Sequence, residues 1–188
     1  MSRRVVTALL VLAAGAALVL ACVLPPRIGH PVTPLMQSAA ESTAGKLITT
    51  LGIDSNRPTV VVFVLPDCPC SIDYDPYVHR VYRAYRDQAA FIEVIAGDGF
   101  TAEQWKQQQQ TPFAVIGDQG NKLAHEFGAL RSAYTALVLN ERIIKLWPGY
   151  SAEMLRELGG LIASETKEAA VSLDVSEAPE RLTSGCAF

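Results

Sequence analysis

The chain predicts an α/β sandwich with a central mixed sheet, and three observations carry that expectation. Helix-type and strand-type segments alternate through most of the chain, a pattern that favours a sheet with helices packed on it. The last two strand-type segments are joined by Asn140-Glu141 alone, a two-residue hairpin signal that makes this pair antiparallel. Apolar residues make up 49% and charged residues 19% of the 188 positions, enough to build a core.

Taken in order, the chain opens with Arg3-Arg4 and then runs uncharged from Val5 to Leu24. A short basic stretch before a long apolar one is the pattern of a signal peptide or membrane anchor, assigned here to residues 1–24. About 20 apolar residues suffice to span a bilayer as a helix. The arginines then stay cytoplasmic and the rest is exported. Leu18-Val19-Leu20-Ala21-Cys22 resembles the processing box of bacterial lipoproteins, which makes Cys22 a candidate for lipidation. Residues 25–34, punctuated by Pro25, Pro26, Pro31 and Pro34, read as a stiff linker outside the fold.

The domain is expected over residues 35–165. Leu35 to Leu51 has helical spacing, closed by Gly52. Thr59 to Leu65 is β-branched and aromatic throughout, as a strand buried on both faces requires. Tyr74 to Gln88 repeats apolar residues at intervals of three and four, the rhythm of an amphipathic helix. Ala90 to Ala96 is a second strand, and Thr101-Ala102-Glu103-Gln104 resembles a capping box opening a polar helix to Gln110. Pro112 to Ile116 is a third strand, and Asn121 to Phe127 a short helix stopped by Gly128. Tyr134 to Leu139 and Arg142 to Trp147 form the hairpin, and Ser151 caps a last helix, Ala152 to Ala163. Residues 166–188 are acidic and mixed, and read as a mobile tail.

The chemistry concentrates at Leu65-Pro66-Asp67-Cys68-Pro69-Cys70-Ser71. Pro69 suits the first position of a helix, where its missing N–H costs nothing. Cys68 then lies at the cap, at the carboxyl end of a central strand, where open α/β sheets place their sites. Unpaired helix N–H groups favour the thiolate. Cys68 is therefore the candidate nucleophile and Cys70 its possible resolving partner, although a three-residue disulfide ring is strained and needs a turn. Two thiolates also suit a soft metal such as Cu(I), but His79 and His125 are the only histidines downstream to complete a site. The net charge of −3 gives no sign of a nucleic-acid partner.

Residues 57–165 resemble the thioredoxin-like superfamily. The shared features are the buried strand, a cysteine at the start of the next helix, and Pro76 eight residues after Cys68. The run from Phe113 to Gly128 and the hairpin from Ala136 to Gly149 resemble the redoxin branch, which holds peroxiredoxins and membrane-tethered thiol–disulfide proteins. The resemblance implies a thioredoxin-like α/β/α sandwich, preceded here by the apolar N-terminal helix. It also implies a thiol–disulfide oxidoreductase without metal or organic cofactor, whose partners are protein or small-molecule thiols and disulfides. It further suggests Arg131 as a thiolate-stabilising residue. Ser71 stands where thioredoxins keep the second cysteine, Asp67 replaces their Trp, and no proline precedes Tyr134. The Thr/Ser and Pro of the peroxiredoxin motif are missing upstream of Cys68, which disfavours the alternative of a thiol peroxidase. Cys186 is expected to be incidental in the tail, the other reading being that it resolves Cys68. The expected protein is an exported, membrane-tethered oxidoreductase with its domain on the extracytoplasmic side.

Overall fold

Residues 29–52 and 56–188 are described by a computed structural model. Five strands form one mixed sheet: β2 (Thr59–Val64), β3 (Ala90–Ala96), β4 (Ala114–Asp118), β5 (Tyr134–Leu139) and β6 (Arg142–Trp147). Their order across the sheet is β4-β3-β2-β5-β6. The pairs β2–β3 and β3–β4 are parallel, whereas β5 runs antiparallel to both β2 and β6. All six residues of β2 are buried, as its uniformly apolar sequence requires of a central strand. Asn140 (φ 51°) and Glu141 (φ 58°) both take the left-handed conformation that a two-residue hairpin turn needs.

The side chains of β2 alternate between two cores. Val60, Val62 and Val64 pack with Tyr74, Val78 and Val81 of α2 (Pro69–Tyr85) and with Leu155, Leu158 and Ile162 of α5 (Ala152–Thr166). Gly159 lets α2 and α5 close up, since a Cβ there would stand 2.7 Å from Tyr85 Oη. Val61 and Phe63 point the other way, toward Ala40 of α1 (Pro34–Glu41) and Phe127 of α4 (Lys122–Phe127). The rings of Phe63 and Phe127 meet edge to face at 5.1 Å. Trp105 of α3 (Gly99–Gln109) joins the first core.

Several elements differ from their sequence expectation. The first helix stops at Glu41, ten residues early. Ser42 and Thr43 bend their hydroxyls back onto the carbonyls of Ala39 and Ala40, competing with the next helical turn. Beyond them Ile48 N–H donates to Glu141 O, which lays this stretch along the hairpin. Helix α3 is capped by Asp98, whose carboxylate accepts from Thr101 N–H, so Thr101 is not its cap. Helix α2 starts at Pro69, five residues before the periodic stretch does.

The largest difference concerns the two ends of the chain. Part of the expected linker forms β1 (His30–Pro31), and the expected tail contains β7 (Thr183–Ser184), which pairs antiparallel with it. Thr183 also exchanges both backbone hydrogen bonds with Tyr150. Within residues 166–188, read from composition as a mobile tail, the stretch from Pro179 to Phe188 is thus laid across the domain and held by main-chain pairing that composition does not encode. The apolar segment of residues 1–24 and Cys22 lie outside the described residues. Among the described residues no helix is long and apolar enough to cross a membrane.

Candidate active site

The chain leaves β2 at Val64 and turns, with Cys68 N–H donating to Leu65 O. Cys68 is the N-cap of α2 in extended conformation (φ −90°, ψ 118°), and Pro69 is the first helical residue. The Cys68 carbonyl accepts from Ser71 N–H at 2.9 Å, which starts the helical ladder. Ser71 Oγ accepts from Leu65 N–H at 3.2 Å, tying the first turn of α2 to the end of the strand. This fixes Cys68 at the carboxyl edge of the central strand, where the sequence places it.

Three thiols meet there. Cys68 and Cys70, 1% and 9% exposed, are joined by Cys186 of the C-terminal segment. Cys186 N–H donates to Cys68 Sγ at 3.1 Å. The thiols of Cys70 and Cys186 are each within hydrogen-bonding reach of the Cys68 sulfur. Burial pushes the Cys68 thiol up. The Cys186 thiol, the Ser132 hydroxyl and the backbone N–H groups of Cys186 and Ser71 outweigh burial and bring it down to about 7. Ser132 Oγ is buried and has no oxygen or nitrogen partner, so its proton is free to serve the sulfur once that is a thiolate. Cys70 goes the opposite way, to about 11, through burial first and then the neighbouring Cys68 thiolate.

The C-terminal segment closes the site. Gly185 N–H donates to Ser132 O and Ser132 N–H to Cys186 O, both at 2.9 Å, and Ala187 bridges Arg131. Gly185 is needed for this approach: a Cβ there would stand 2.0 Å from Ser132 Oγ and 3.1 Å from Cys68 Sγ. Arg131, expected as a thiolate-stabilising residue, lies against the segment that carries Cys186. Its Nε donates to Gly185 O at 2.8 Å, so the guanidinium clamps the C-terminal segment. Its charge favours the thiolate of Cys186. Asp67 is exposed. Cys186, expected to be incidental, is part of the site.

A second buried polar group escapes sequence reasoning. Glu93 of β3 is 0% exposed and accepts from Trp105 Nε1 at 2.9 Å and from the Thr111 hydroxyl at 3.3 Å. Burial, and then the facing Asp75 carboxylate of α2, push its carboxyl up to about 8. Burial likewise raises Asp75, although His79 opposes it. Glu93 Oε1 and Asp75 Oδ1 are both buried without another partner. One proton held on Glu93 and donated to Asp75 satisfies both atoms. The available signal was a lone carboxylate within the apolar strand Ala90–Ala96. Among the described residues no group of three or more His, Cys, Asp or Glu is arranged to hold a metal ion.

No protein-family model and no curated protein sequence matches the chain. Solved structures do. An uncharacterized conserved protein from Geobacillus kaustophilus is similar over 85% of this chain and 90% of its own, at 14% identity and a TM-score of 0.54. A putative thioredoxin from Neisseria meningitidis is similar over 61% of this chain and 78% of its own, at 18% identity and a TM-score of 0.52. The thioredoxin domain of thiol-disulfide oxidoreductase BVU-2223 from Bacteroides vulgatus matches 63% of this chain and 97% of its own, at 12% identity and a TM-score of 0.52. At these identities the likeness is one of fold, and the fold is thioredoxin-like, as the sequence resemblance implies.

Proposed function

We propose that this protein is an exported, membrane-tethered thiol–disulfide oxidoreductase of the redoxin type, with Cys68 as its nucleophile. The observation that carries this reading is the Cys68 sulfur itself, held at a helix cap and lowered to about 7 by convergent donors despite its burial. A thiol of that pKa is about half thiolate at neutral pH, and attack on disulfides is fastest near that balance. An inert buried cysteine would have moved the other way, as Cys70 does.

In the reaction the Cys68 thiolate attacks one sulfur of a substrate disulfide and the other sulfur leaves as a thiolate. A second protein thiol then attacks Cys68 Sγ, releases the remaining substrate sulfur and leaves the protein oxidised. Two electrons pass to the substrate, and no metal or organic cofactor is required. Cys70 is one source of the second thiol. The exposed side chains of Ile72, one turn after Cys68, and Leu130, next to Arg131, favour a protein partner at this edge. Export and tethering rest on the pattern of residues 1–24.

The replacement Cys68→Ser should abolish insulin-disulfide reduction while leaving the circular dichroism of the fold unchanged. Undiminished reduction by that variant would refute the assignment of Cys68.

A further inference from the structure

We infer that Cys186, carried on a C-terminal strap, is the thiol that resolves Cys68, so that the working disulfide is Cys68–Cys186. This rests on the reading of Cys68 as the attacking thiolate and names the partner it uses. Three geometric observations carry it. Cys186 N–H already lies on Cys68 Sγ at 3.1 Å across 118 residues of chain. The strap is aimed by main-chain pairing with Ser132 and by the Arg131 clamp on Gly185 O. Gly185 has no room for a side chain against Ser132 and Cys68, so the backbone is brought as close as it can come.

The alternative partner is worse placed. A Cys68–Cys70 bridge would close a three-residue ring at the start of α2, where Cys70 belongs to the helix and Cys68 caps it. Such a ring is strained. A bridge to Cys186 spans a long loop whose ends the fold has already brought together. The electrostatics follow the same preference. Cys186 is raised first by its hydrogen bond to Cys68, and further by burial and by the charge of the Cys68 thiolate, with Arg131 opposing. When Cys68 is tied into a mixed disulfide its charge is gone while Arg131 remains, so Cys186 is freed to ionise when it is needed. The leading cause at Cys70 is burial, which the mixed disulfide does not relieve.

With the strap seated Cys68 is 1% exposed, so a substrate disulfide enters only when residues 185–187 lift away. The Cys68 thiolate then attacks the substrate, and one substrate sulfur leaves as a thiolate. The returning strap brings the Cys186 thiolate onto Cys68 Sγ. The new bond expels the second substrate sulfur, and the Cys186 proton passes to solvent. Resolution and closure are one motion.

The test uses the full reduced chain, one equivalent of oxidised glutathione, acid quenching with thiol alkylation, and peptide mapping over time. Wild type and Cys70→Ser should form a Cys68–Cys186 bridge and release both glutathiones. Cys186→Ser should instead accumulate Cys68–glutathione, because it loses a thiol held at millimolar-scale effective concentration or above, and should clear it at least ~10-fold more slowly. Gly185→Val keeps the thiol but unseats the strap, and should behave like Cys186→Ser. A Cys68–Cys70 bridge in wild type with Cys186 free, or clearance by Cys186→Ser at the wild-type rate, overturns the inference and leaves Cys68 as nucleophile. If Cys68 takes up no glutathione even in a Cys70→Ser, Cys186→Ser double variant, both readings fall.

Discussion

Two buried acidic clusters are built on or against the same helix, and they resolve the cost of burial in opposite ways. At the cap of α2, Cys68 is 1% exposed yet lowered to about 7. Further along, Glu93 is 0% exposed and raised to about 8 with Asp75 against it. Desolvation is the largest influence on both and pushes both toward the neutral form. The difference lies in what faces the acid. The sulfur meets two backbone N–H groups, a hydroxyl and a thiol, all able to donate. The Glu93 carboxyl meets two donors and a second carboxylate. Donors directed at a buried acid keep it charged, and one like charge is enough to discharge it. The first arrangement yields a nucleophile, the second a shared proton that closes a buried network.

That contrast has opposite signatures in stability, and the carboxyl side is the larger. Glu93 keeps its proton in the native protein up to about 8, whereas in the unfolded chain it ionises from its ordinary 4.5. Between those values the native state binds more protons, so its contribution is complete below 4.5 and is lost as pH rises toward 8. Cys68 is the reverse: ionised from about 7 when folded and from 9.0 when unfolded, it adds stability as pH rises through that interval. Urea unfolding should therefore show stability falling from pH 5 to pH 8, by an amount on the order of a few kcal/mol. The decline should slacken above the point where Cys68 begins to contribute. Glu93→Gln, which still donates to Asp75 and accepts from Trp105, should flatten the fall and leave the thiol side intact. A wild-type curve that stays level or rises across the lower interval would break the carboxyl half of the comparison.

How much of this was legible in the sequence follows from which interactions are local. The run Thr59–Val64, the strand Ala90–Ala96 and the hairpin ends at Leu139 and Arg142 sit where the residues place them, because periodicity and turn chemistry are short-range. Cys68 at a helix cap was legible for the same reason, through Pro69 and the strand before it. Leu47 misled, since its apolar spacing suits a helix as well as the stretch that pairs with the hairpin at Glu141 and Arg142. The docked C-terminal segment was hidden because backbone groups of Ser132, Tyr150 and His30–Pro31 hold it, and an acidic composition says nothing of those. The hydrogen bond of Arg131 to Gly185 O was hidden for the same reason, because it depends on that docking. Glu93 needed Asp75, Trp105 and Thr111 brought to it from three other segments.

A smaller effect tests the donor side. Ser132→Ala removes one of the groups that hold the Cys68 thiolate and leaves the backbone donors of Cys186 and Ser71. A hydrogen bond worth about 1 kcal/mol corresponds to somewhat less than one pH unit. The pH profile of Cys68 alkylation, followed on its own peptide by mass spectrometry, should shift upward from about 7 by that much. A profile that does not move would mean that the Cys186 thiol and the backbone N–H groups carry the whole effect.

The smallest expected effect is the most discriminating for the two neighbouring cysteines. Cys70 is raised to about 11 by burial first, then by the charge of the Cys68 thiolate and by its own hydrogen bond to that sulfur. The charge acts on Cys70 alone because Cys68 ionises first, whereas the hydrogen bond also favours the Cys68 thiolate, by less than the donors of Cys186, Ser132 and Ser71 do. Cys70→Ser should leave the Cys68 alkylation profile centred near 7, within a few tenths of a pH unit, and should leave its reactivity at neutral pH unchanged. Were Cys70 a major donor to Cys68, a serine hydroxyl at the same site would replace it only in part, and the profile would climb. Such a climb would tie Cys70 to the nucleophile after all and erase the asymmetry between a charged sulfur at the cap and a neutral one two residues inside the helix.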